Sequence, residues 1–410
     1  MKKTAYIIIS IMLLVLAGCS PKAETELSTI SATETTCEES IEANTPIYAS
    51  DYEVLWDALH NTYPYLSYLQ SQGIDTDEIY SRYKEDVKTI TDEDAFYGML
   101  QSMLSEMHNF AHLQVITPEE YEDYYYVNVG YMTDLGEENP YYIVLTDPSL
   151  SKRYQPSKMV ENVFENNSSE ADEQIFTQYY TDCNALYLKI PSFGSRMVIR
   201  DQNLLFEKLK EYPETKHVII DISGNPGGYG SYWINNLVAP FGETYEFDIR
   251  TFYKSSPLVD FYHSCWDLRA VSELEDAPEW IDVMGLDLYL DYTYSMSDIE
   301  CKTLPNAKNI KRWVLISRSS YSAAETFACF CKTTGFATLV GTKTSGDGMH
   351  TSPILLLLPD SGILIRMSDG VGENPDGSIN AIHGTTPDIT CKKGETPLGR
   401  CLDEIKKQTE

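Results

Sequence analysis

Ser322 stands where a nucleophilic hydroxyl would be well placed for chemistry. The short apolar run Trp313 to Ile316 has the length of a buried strand, and a helical pattern follows Ser322 and can end at Gly335. The Ser322 hydroxyl is therefore predicted to lie at the positive end of a helix dipole, beside backbone N–H groups that could stabilise an oxyanion. The same serine also begins a capping box that ends at Glu325, so the alternative is a residue that only starts a helix.

A glycine-rich turn after a second apolar strand could supply a matching contact. Residues 221–230 read Asp-Ile-Ser-Gly-Asn-Pro-Gly-Gly-Tyr-Gly, between a predicted strand and a predicted helix. The Gly-Lys-Ser/Thr end of a phosphate-binding loop is missing. What remains is either a tight turn that needs glycine, or a backbone N–H of Gly227 or Gly228 directed at Ser322. If the two strands are parallel neighbours, both loops lie at the carboxyl edge of one sheet.

Two histidines could activate such a serine, because the pKa of histidine suits a general base. His112 follows a predicted helix and begins a predicted strand, and His350 is held in reserve. His108 and His112 have the i, i+4 spacing of a zinc pair. However, Asn109 stands where zinc proteases carry a glutamate base, and no third ligand stands out. We therefore predict no metal and no cofactor.

The elements that must position these residues form an α/β arrangement. Strand and helix patterns alternate from Ala185 onward, which predicts a core with a largely parallel sheet. Before it, helical periodicity predicts a small bundle, with one helix capped by Asp92, and tyrosine-rich runs at 124–131 and 141–145 predict strands. The predicted segments are a signal peptide at 1–18, a flexible tether at 19–46, the helical bundle at 47–114, a β-rich connecting segment at 115–184, the α/β catalytic domain at 185–395 and a C-terminal tail at 396–410.

The N-terminal residues predict export and lipid attachment. Lys2 and Lys3 precede an apolar stretch too short to span a bilayer comfortably, and the sequence Leu16-Ala-Gly-Cys19 ends it. This order resembles the bacterial lipobox, in which the cysteine is lipidated and becomes the first mature residue. An ordinary secretory signal is the alternative. We expect the protein on the cell membrane, anchored at Cys19 and facing outside the cytoplasm.

Charge and composition narrow the partners. The chain of 410 residues has a formal net charge of −31, and loss of Lys2 and Lys3 with a leader would make it −33. Nucleic acid is therefore not expected as a partner, and neutral or basic peptides are favoured over acidic ones. An exported protein can form disulfides, but Cys329 and Cys331, two apart on one predicted helix, should not pair with each other.

Taken in order, these blocks resemble the tail-specific, or C-terminal-processing, serine protease family. Its blocks Asp-x-Arg-x-Asn-x-Gly-Gly, Ser-Ala-x-Glu, Gly-x-x-Thr-x-Gly and Gly-x-x-Pro-Asp are matched in turn by residues 221–228, 322–325, 341–346 and 384–388. Ser223 replaces the arginine of the first block. The resemblance extends over about Tyr48 to Ile389 and implies a crotonase-like α/β core preceded by the helical bundle.

Two departures from the family pattern indicate a particular branch. Members with a Ser-Lys dyad carry lysine between two glycines, where this chain has Gly346-Asp-Gly348. No PDZ-like peptide-binding segment is recognisable between His112 and Ala185. Both features resemble the tricorn-like and retinoid-binding-protein-like branch, whose base is a histidine of an Asp-Gly-His-type motif. Here Phe110-Ala-His112 matches that motif without its Asp and Gly.

The resemblance implies a serine peptidase that acts on peptides or unfolded protein tails. The nucleophile, base, reserve base and two oxyanion donors are assigned to Ser322, His112, His350, Gly228 and Ala323. The carboxylate of the branch would fall near Asn380 or Ala381, neither of which is acidic, and Glu373 is out of register. The sequence thus identifies no group to orient the histidine. A catalytically inactive peptide-binding lipoprotein on the same fold is the alternative.

Overall fold

A computed structural model describes residues 47–131, 136–155, 175–296, 303–304 and 306–408. The predicted signal peptide, tether and lipidation site at Cys19 lie outside the described residues. Within those described ranges, no helix combines the length and the apolar character needed to cross a bilayer.

The helices of the described residues are labelled in chain order. They are α1 (Ala49–Asn61), α2 (Leu66–Ser71), α3 (Thr76–Asp86), α4 (Glu93–Glu106), α5 (Pro118–Tyr125), α6 (Pro140–Leu145), α7 (Met197–Arg200), α8 (Leu204–Glu211), α9 (Gly230–Tyr232), α10 (Pro257–His263), α11 (Trp280–Met284), α12 (Ala323–Thr334), α13 (Asn380–His383) and α14 (Pro397–Lys407). Two π-helical stretches, Tyr126–Tyr131 and Trp233–Val238, continue α5 and α9.

The strands form three sheets. They are β1 (Gln114–Val115), β2 (Phe176–Tyr180), β3 (Ala185–Lys189), β4 (His217–Asp221), β5 (Glu246–Tyr253), β6 (Arg269–Ala270), β7 (Leu288–Ser295), β8 (Lys311–Ile316), β9 (Thr338–Gly341), β10 (Ile354–Leu357), β11 (Leu364–Met367), β12 (Gly370–Gly372) and β13 (Ile389–Thr390). The sheet orders are β1-β11-β10, β12-β5-β7-β6 and β13-β9-β8-β4-β3-β2.

The six-stranded sheet is the core of an α/β fold. Strands β13, β9, β8, β4 and β3 run parallel, and β2 adds antiparallel at one edge. All five residues of β4 are buried, and the first nine residues of α12 are buried, several of them against the same sheet. The pairings Asp221 with Leu315 and Ile316 with Gly341 bring the carboxyl ends of β4, β8 and β9 to one edge. The predicted α/β core with a largely parallel sheet is confirmed.

Helices α1 to α4 form the helical part that the periodicity predicted, and their apolar residues share one core with those of β10 and β11. The Asp92 side chain accepts a hydrogen bond from the backbone N–H of Ala95 and caps α4 as expected. The buried Asp51 carboxylate of α1 accepts the N–H groups of Asp360 and Ser361 at 2.8 and 2.7 Å. These bonds attach the helices to the turn between β10 and β11.

The tyrosine-rich runs at 124–131 and 141–145 are helical, so the prediction of strands there is wrong. They lie in α5, its π-helical continuation and α6, and the β-rich character expected for 115–184 fails over both runs. Each helix has proline in its first turn and a side-chain cap, from Thr117 and from Asn139. These start signals outweigh the β-propensity of tyrosine, which depends on packing context.

Within the segment at 396–410, which was predicted as a tail, Pro397–Lys407 form α14. Thr396 caps this helix, and Cys401 and Ile405, one turn apart, are buried against Trp313 and its neighbours on one face of the parallel sheet. That burial explains why the segment is ordered as a helix. In α12, Cys329 and Cys331 are buried free thiols, as expected for residues that point in different directions.

Candidate active site

Ser322 lies in a sharp turn between β8 and α12. Its backbone φ of 54° and ψ of −126° belong to a region that residues with a side chain rarely adopt. The turn is fixed by neighbours: the Ser322 N–H donates to the Gly346 carbonyl at 3.2 Å, and the Tyr321 N–H donates to the Asn225 carbonyl at 3.2 Å. A strained turn of this kind projects the hydroxyl away from the helix that follows.

The predicted capping box from Ser322 to Glu325 does not form. The Ser322 side chain makes no cap hydrogen bond. The fully buried Glu325 instead accepts hydrogen bonds from Asn380 Nδ2 and Thr385 Oγ1, both at 2.7 Å. The positive φ turns Ser322 Oγ away from the helix N–H groups, so the interpretation of this serine as a helix cap is wrong.

His112 projects from the end of the helical bundle onto Ser322. After α4 the chain makes a tight turn, in which Ala111 and His112 have φ of 51° and 57°. The Ala111 carbonyl accepts the Ser368 N–H at 2.9 Å, and the His112 N–H donates to Tyr321 Oη at 3.1 Å. These contacts bring His112 Nε2 to 3.0 Å from Ser322 Oγ. His108 is exposed and does not join the buried cluster around His112.

Asp347 is the carboxylate that orients His112, a role that was not predicted from the sequence. Its Oδ2 lies 2.6 Å from His112 Nδ1, and the two side chains are 1% and 5% exposed. It stands in the Gly346-Asp-Gly348 loop that follows β9. A Cβ on Gly348 would come within 2.3 Å of the Ser322 carbonyl, so only glycine lets this loop pass so close to the serine turn. An acidic residue between two glycines, at the place of a dyad lysine, was the available signal.

Asn380, one of the positions where the carboxylate was sought, supports the Asp347 loop. Its Oδ1 accepts the Gly348 N–H at 2.9 Å, while its Nδ2 donates to Glu325 and to Asn374. It does not contact His112. Glu373 pairs with Ile379 in an isolated antiparallel β-bridge, and it is likewise not among the hydrogen-bond partners of His112.

The partners of each ring nitrogen assign the protons of His112. Because a carboxylate oxygen only accepts, Nδ1 carries the proton toward Asp347, and Nε2 is left to accept one from Ser322. Burial lowers the pKa of His112 below its ordinary value of 6.5, although the charge of Asp347 opposes that shift. Burial alone would raise the pKa of Asp347, but His350 and His112 hold it well below its usual range. The arrangement thus presents a neutral base.

Two backbone N–H groups lie beside the serine turn. Gly227 packs directly on it, since a Cβ there would lie 2.7 Å from Ser322 Cβ and 2.9 Å from Ala323 N. Its own N–H is taken by Asn225 Oδ1 at 2.8 Å. The N–H groups of Gly228 and Ala323 have no hydrogen-bond acceptor among the described residues. These are the two groups that the sequence assigned to an oxyanion.

His350 lies on the far side of Asp347 from Ser322. Its Nε2 is 3.0 Å from Asp347 Oδ1, and its ring centre is 5.9 Å from that of His112. His112, and not His350, is therefore the histidine that contacts the serine.

The close grouping of His112, Asp347 and His350 also raises the question of a metal. Their ligand atoms all lie within 4.8 Å of one another. Two ligands on a tetrahedral zinc lie roughly 3.3 Å apart, because each is about 2.0–2.1 Å from the ion. The 2.6 Å between His112 Nδ1 and Asp347 Oδ2 is instead a hydrogen-bond length. We interpret the group as a hydrogen-bonded chain.

A buried carboxylate, a histidine and a serine joined in this order on an α/β fold are typical of serine hydrolases. Residues 184–391, half of the chain, match the model of peptidase family S41, and residues 47–105 match the tricorn protease C1 domain. The chain therefore belongs to peptidase family S41 and is a serine-type peptidase. No curated protein sequence matches it.

Solved structures give a similar result for the fold. A candidate peptidase from Parabacteroides merdae is 18% identical with a TM-score of 0.52, over 88% of this chain and 97% of its own. A lipoprotein from Streptococcus agalactiae is 16% identical with a TM-score of 0.49, over 90% and 100% of the two chains. Mature CPAF is 11% identical with a TM-score of 0.47, over 88% and 95%. The first of these likenesses shows a shared fold.

Proposed function

We propose that the protein is a lipid-anchored peptidase that acts outside the cytoplasm through Ser322, His112 and Asp347. The observation that carries the proposal is the buried chain of contacts, 3.0 Å from Ser322 Oγ to His112 Nε2 and 2.6 Å from His112 Nδ1 to Asp347 Oδ2. Ser322 Oγ attacks the carbonyl carbon of the scissile peptide bond while His112 Nε2 takes its proton. Asp347 holds the ring and stabilises the imidazolium that forms.

The N–H groups of Gly228 and Ala323 receive the negative oxygen of the tetrahedral intermediate. Ala323 is the first residue of α12, so its N–H has no partner in the helix and lies at the positive end of the helix dipole. His112 then returns its proton to the leaving amine. Water repeats the sequence on the acyl-enzyme, which releases the second product and restores Ser322.

The nucleophile is tested by labelling with a fluorophosphonate probe, together with cleavage of unfolded protein substrates. The unchanged chain should be labelled stoichiometrically at Ser322, and Ser322→Ala should lose cleavage by roughly 10³-fold or more while keeping its melting temperature. A folded protein that is not labelled would favour the inactive peptide-binding lipoprotein.

The assignment of the base is tested by comparing two histidine variants. His112→Ala removes the only imidazole in contact with Ser322 among the described residues, so it should abolish labelling almost as completely as Ser322→Ala. At alkaline pH, His350→Ala should reduce the rate of labelling less than His112→Ala does, because His350 does not contact Ser322. The reverse ranking would make His350 the base.

The lipid anchor rests on the sequence of residues 1–19 alone. Cells that express the protein and are fed an alkyne-tagged fatty acid should incorporate the tag, and the protein should fractionate with membranes. Cys19→Ser should remove the tag. If the unchanged protein is released into the medium without the tag, residues 1–18 act as an ordinary secretory signal.

A further inference from the structure

His350 faces hydrogen-bond acceptors with both of its ring nitrogens. Nδ1 is hydrogen-bonded to the carbonyl oxygen of Thr351. Nε2 lies 3.0 Å from Asp347 Oδ1 and 3.3 Å from Ser368 Oγ, whose own O–H donates to Asp347 Oδ2. Carbonyl and carboxylate oxygens cannot donate, and the Ser368 proton is directed at Asp347. Each nitrogen of His350 must therefore carry a proton, and an imidazole with two protons is positively charged. The side chain is only 3% exposed, so water does not replace these partners.

Asp347 is ionised in the same arrangement. Its Oδ2 accepts from three donors: His112 Nδ1 at 2.6 Å, Tyr321 Oη at 2.7 Å and Ser368 Oγ at 3.1 Å. Such a set of donors stabilises a carboxylate and disfavours a protonated acid. Asp347 is thus a buried anion between two imidazoles, of which only His350 has acceptors on both sides.

We propose that His350 is a positively charged positioning residue that holds Asp347 ionised and in place and weakens His112 as a base. The proposal rests on the proposed function, because His112 is the base whose strength it sets. A buried anion without a counter-charge is strongly unfavourable, and His350 provides that counter-charge without contacting Ser322.

The other charged groups near His350 leave this pairing intact. Asp369 is the second carboxylate whose charge acts on His350, but its Oδ2 is 2.7 Å from Nε2 of His263. Arg366 acts on His112 from β11 and has Glu120 3.4 Å away as its own partner. Tyr253, from β5, directs its hydroxyl at Thr351 Oγ1 and not at the ring.

The directions of the two histidine pKa values agree with this arrangement. Burial alone would lower the pKa of His350, but Asp347 raises it above the ordinary value of 6.5. His350 therefore keeps its charge to a higher pH than an ordinary histidine does. The pKa of His112 is lowered, first by burial and in part by the charge of His350. Removing that charge should raise it.

The first test is His350→Gln, which keeps an N–H donor near Asp347 and removes the charge. The rate of fluorophosphonate labelling is measured against pH. Two unit charges about 6 Å apart interact strongly enough at an effective dielectric constant of 20 to move the acid midpoint upward by roughly one to two pH units. His263→Gln, which removes an imidazole from the other buried histidine–carboxylate pair, should leave the midpoint unchanged. An unmoved midpoint in His350→Gln overturns the proposal.

The second test observes the histidine rings directly, so it does not depend on whether the protein or its variant is active. The intact protein is labelled with ¹⁵N at its seven histidines, and the ring signals are followed between about pH 6 and 9. One ring that stays doubly protonated above the ordinary histidine range, and whose signals are missing in His350→Gln, supports the proposal. If all rings are neutral at pH 7.5, the proposal is wrong. If the protein is not labelled in the first test but His350 is charged in the second, the peptidase mechanism is wrong and the charge of His350 still stands.

Discussion

At the scale of single residues, Asp347 determines which ring nitrogen of His112 carries the proton. Its Oδ2 accepts hydrogen bonds from His112 Nδ1, Tyr321 Oη and Ser368 Oγ, and its Oδ1 lies beside His350. Fixing Nδ1–H leaves Nε2 as the acceptor for the serine proton. Loss of the carboxylate would therefore affect catalysis through the tautomer of His112 as well as through charge.

We expect Asp347→Asn to lower the rate of serine labelling by roughly 10³- to 10⁴-fold, because an amide nitrogen directed at Nδ1 favours the unproductive tautomer. The rate constant is measured with the fluorophosphonate probe, and folding by the near-ultraviolet circular dichroism of the buried tyrosines. Asp369→Asn is the matched control: it alters a buried carboxylate paired with His263, out of contact with His112, and should lose much less. Equal losses in both variants would mean that burial, and not orientation, is what matters.

The pH dependence of the unchanged enzyme follows from the lowered pKa of His112. The base works in its neutral form, so activity falls as pH drops through that pKa. Because the pKa lies below the ordinary value of 6.5, activity should persist into more acidic solution than an exposed histidine would allow. The labelling rate measured from pH 4.5 to 8 should therefore have its acid midpoint below 6.5. A midpoint at or above that value would contradict the lowered pKa.

The sequence predicted that Ser322 and His112 would meet, but not the carboxylate contact that joins them to Asp347. Ser322 and His112 were identified, because a strand–turn–helix unit and a histidine at the end of a helix have local signals. Asp347 was not, because its role depends on contacts with residues up to 235 positions away. Nothing in the residues beside Asp347 shows that it reaches both His112 and His350.

At the scale of elements, the approach of three loops at one sheet edge forms the site. The turns after β4, β8 and β9 carry Gly227, Ser322 and Asp347, and the parallel order of those strands brings them together. The alternation of strands and helices predicted that the first two of these turns would meet if their strands were neighbours, but it did not predict the third. The misassigned helices α5 and α6 show the limit, since tyrosines in a short amphipathic helix and in a strand differ mainly in what they pack against.

The glycine turn offers a test with an internal control. Gly227 has φ of 103°, and a Cβ there would lie 2.7 Å from both Ser322 Cβ and the Tyr321 carbonyl, whereas a Cβ on Gly224 would meet nothing within 4 Å. Gly227→Ala should therefore destabilise the fold by about 2 kcal/mol or more and sharply reduce labelling. Gly224→Ala should change both by little. Thermal unfolding and labelling rates measure the two effects, and similar behaviour of the two variants would contradict the close approach of Gly227 to Ser322.

At the scale of the whole molecule, the site joins two parts of the chain that lie far apart in sequence. His112 follows the N-terminal helices, while Ser322 and Asp347 belong to the α/β core, and 210 positions separate His112 from Ser322. Contacts such as Tyr63 Oη to the Phe110 carbonyl, and the Ser368 N–H to the Ala111 carbonyl, hold the histidine turn between the two parts. Docking of the helices on the core therefore places His112, the proposed base, beside Ser322.

The net charge of −31 should affect which substrates reach the site. An acidic molecule attracts cationic peptides and repels anionic ones over a distance that shortens as salt is added. We compare two peptides that share the residues around the cleaved bond and carry lysines or glutamates only at their ends. At about 20 mM salt the lysine peptide should have a kcat/KM about tenfold higher, and the gap should narrow markedly at about 0.5 M, with similar kcat values. Ser322→Ala serves as the blank for each peptide. A preference that is independent of salt would point to direct contacts near the site, and a preference for the glutamate peptide would show that a local positive surface outweighs the net charge.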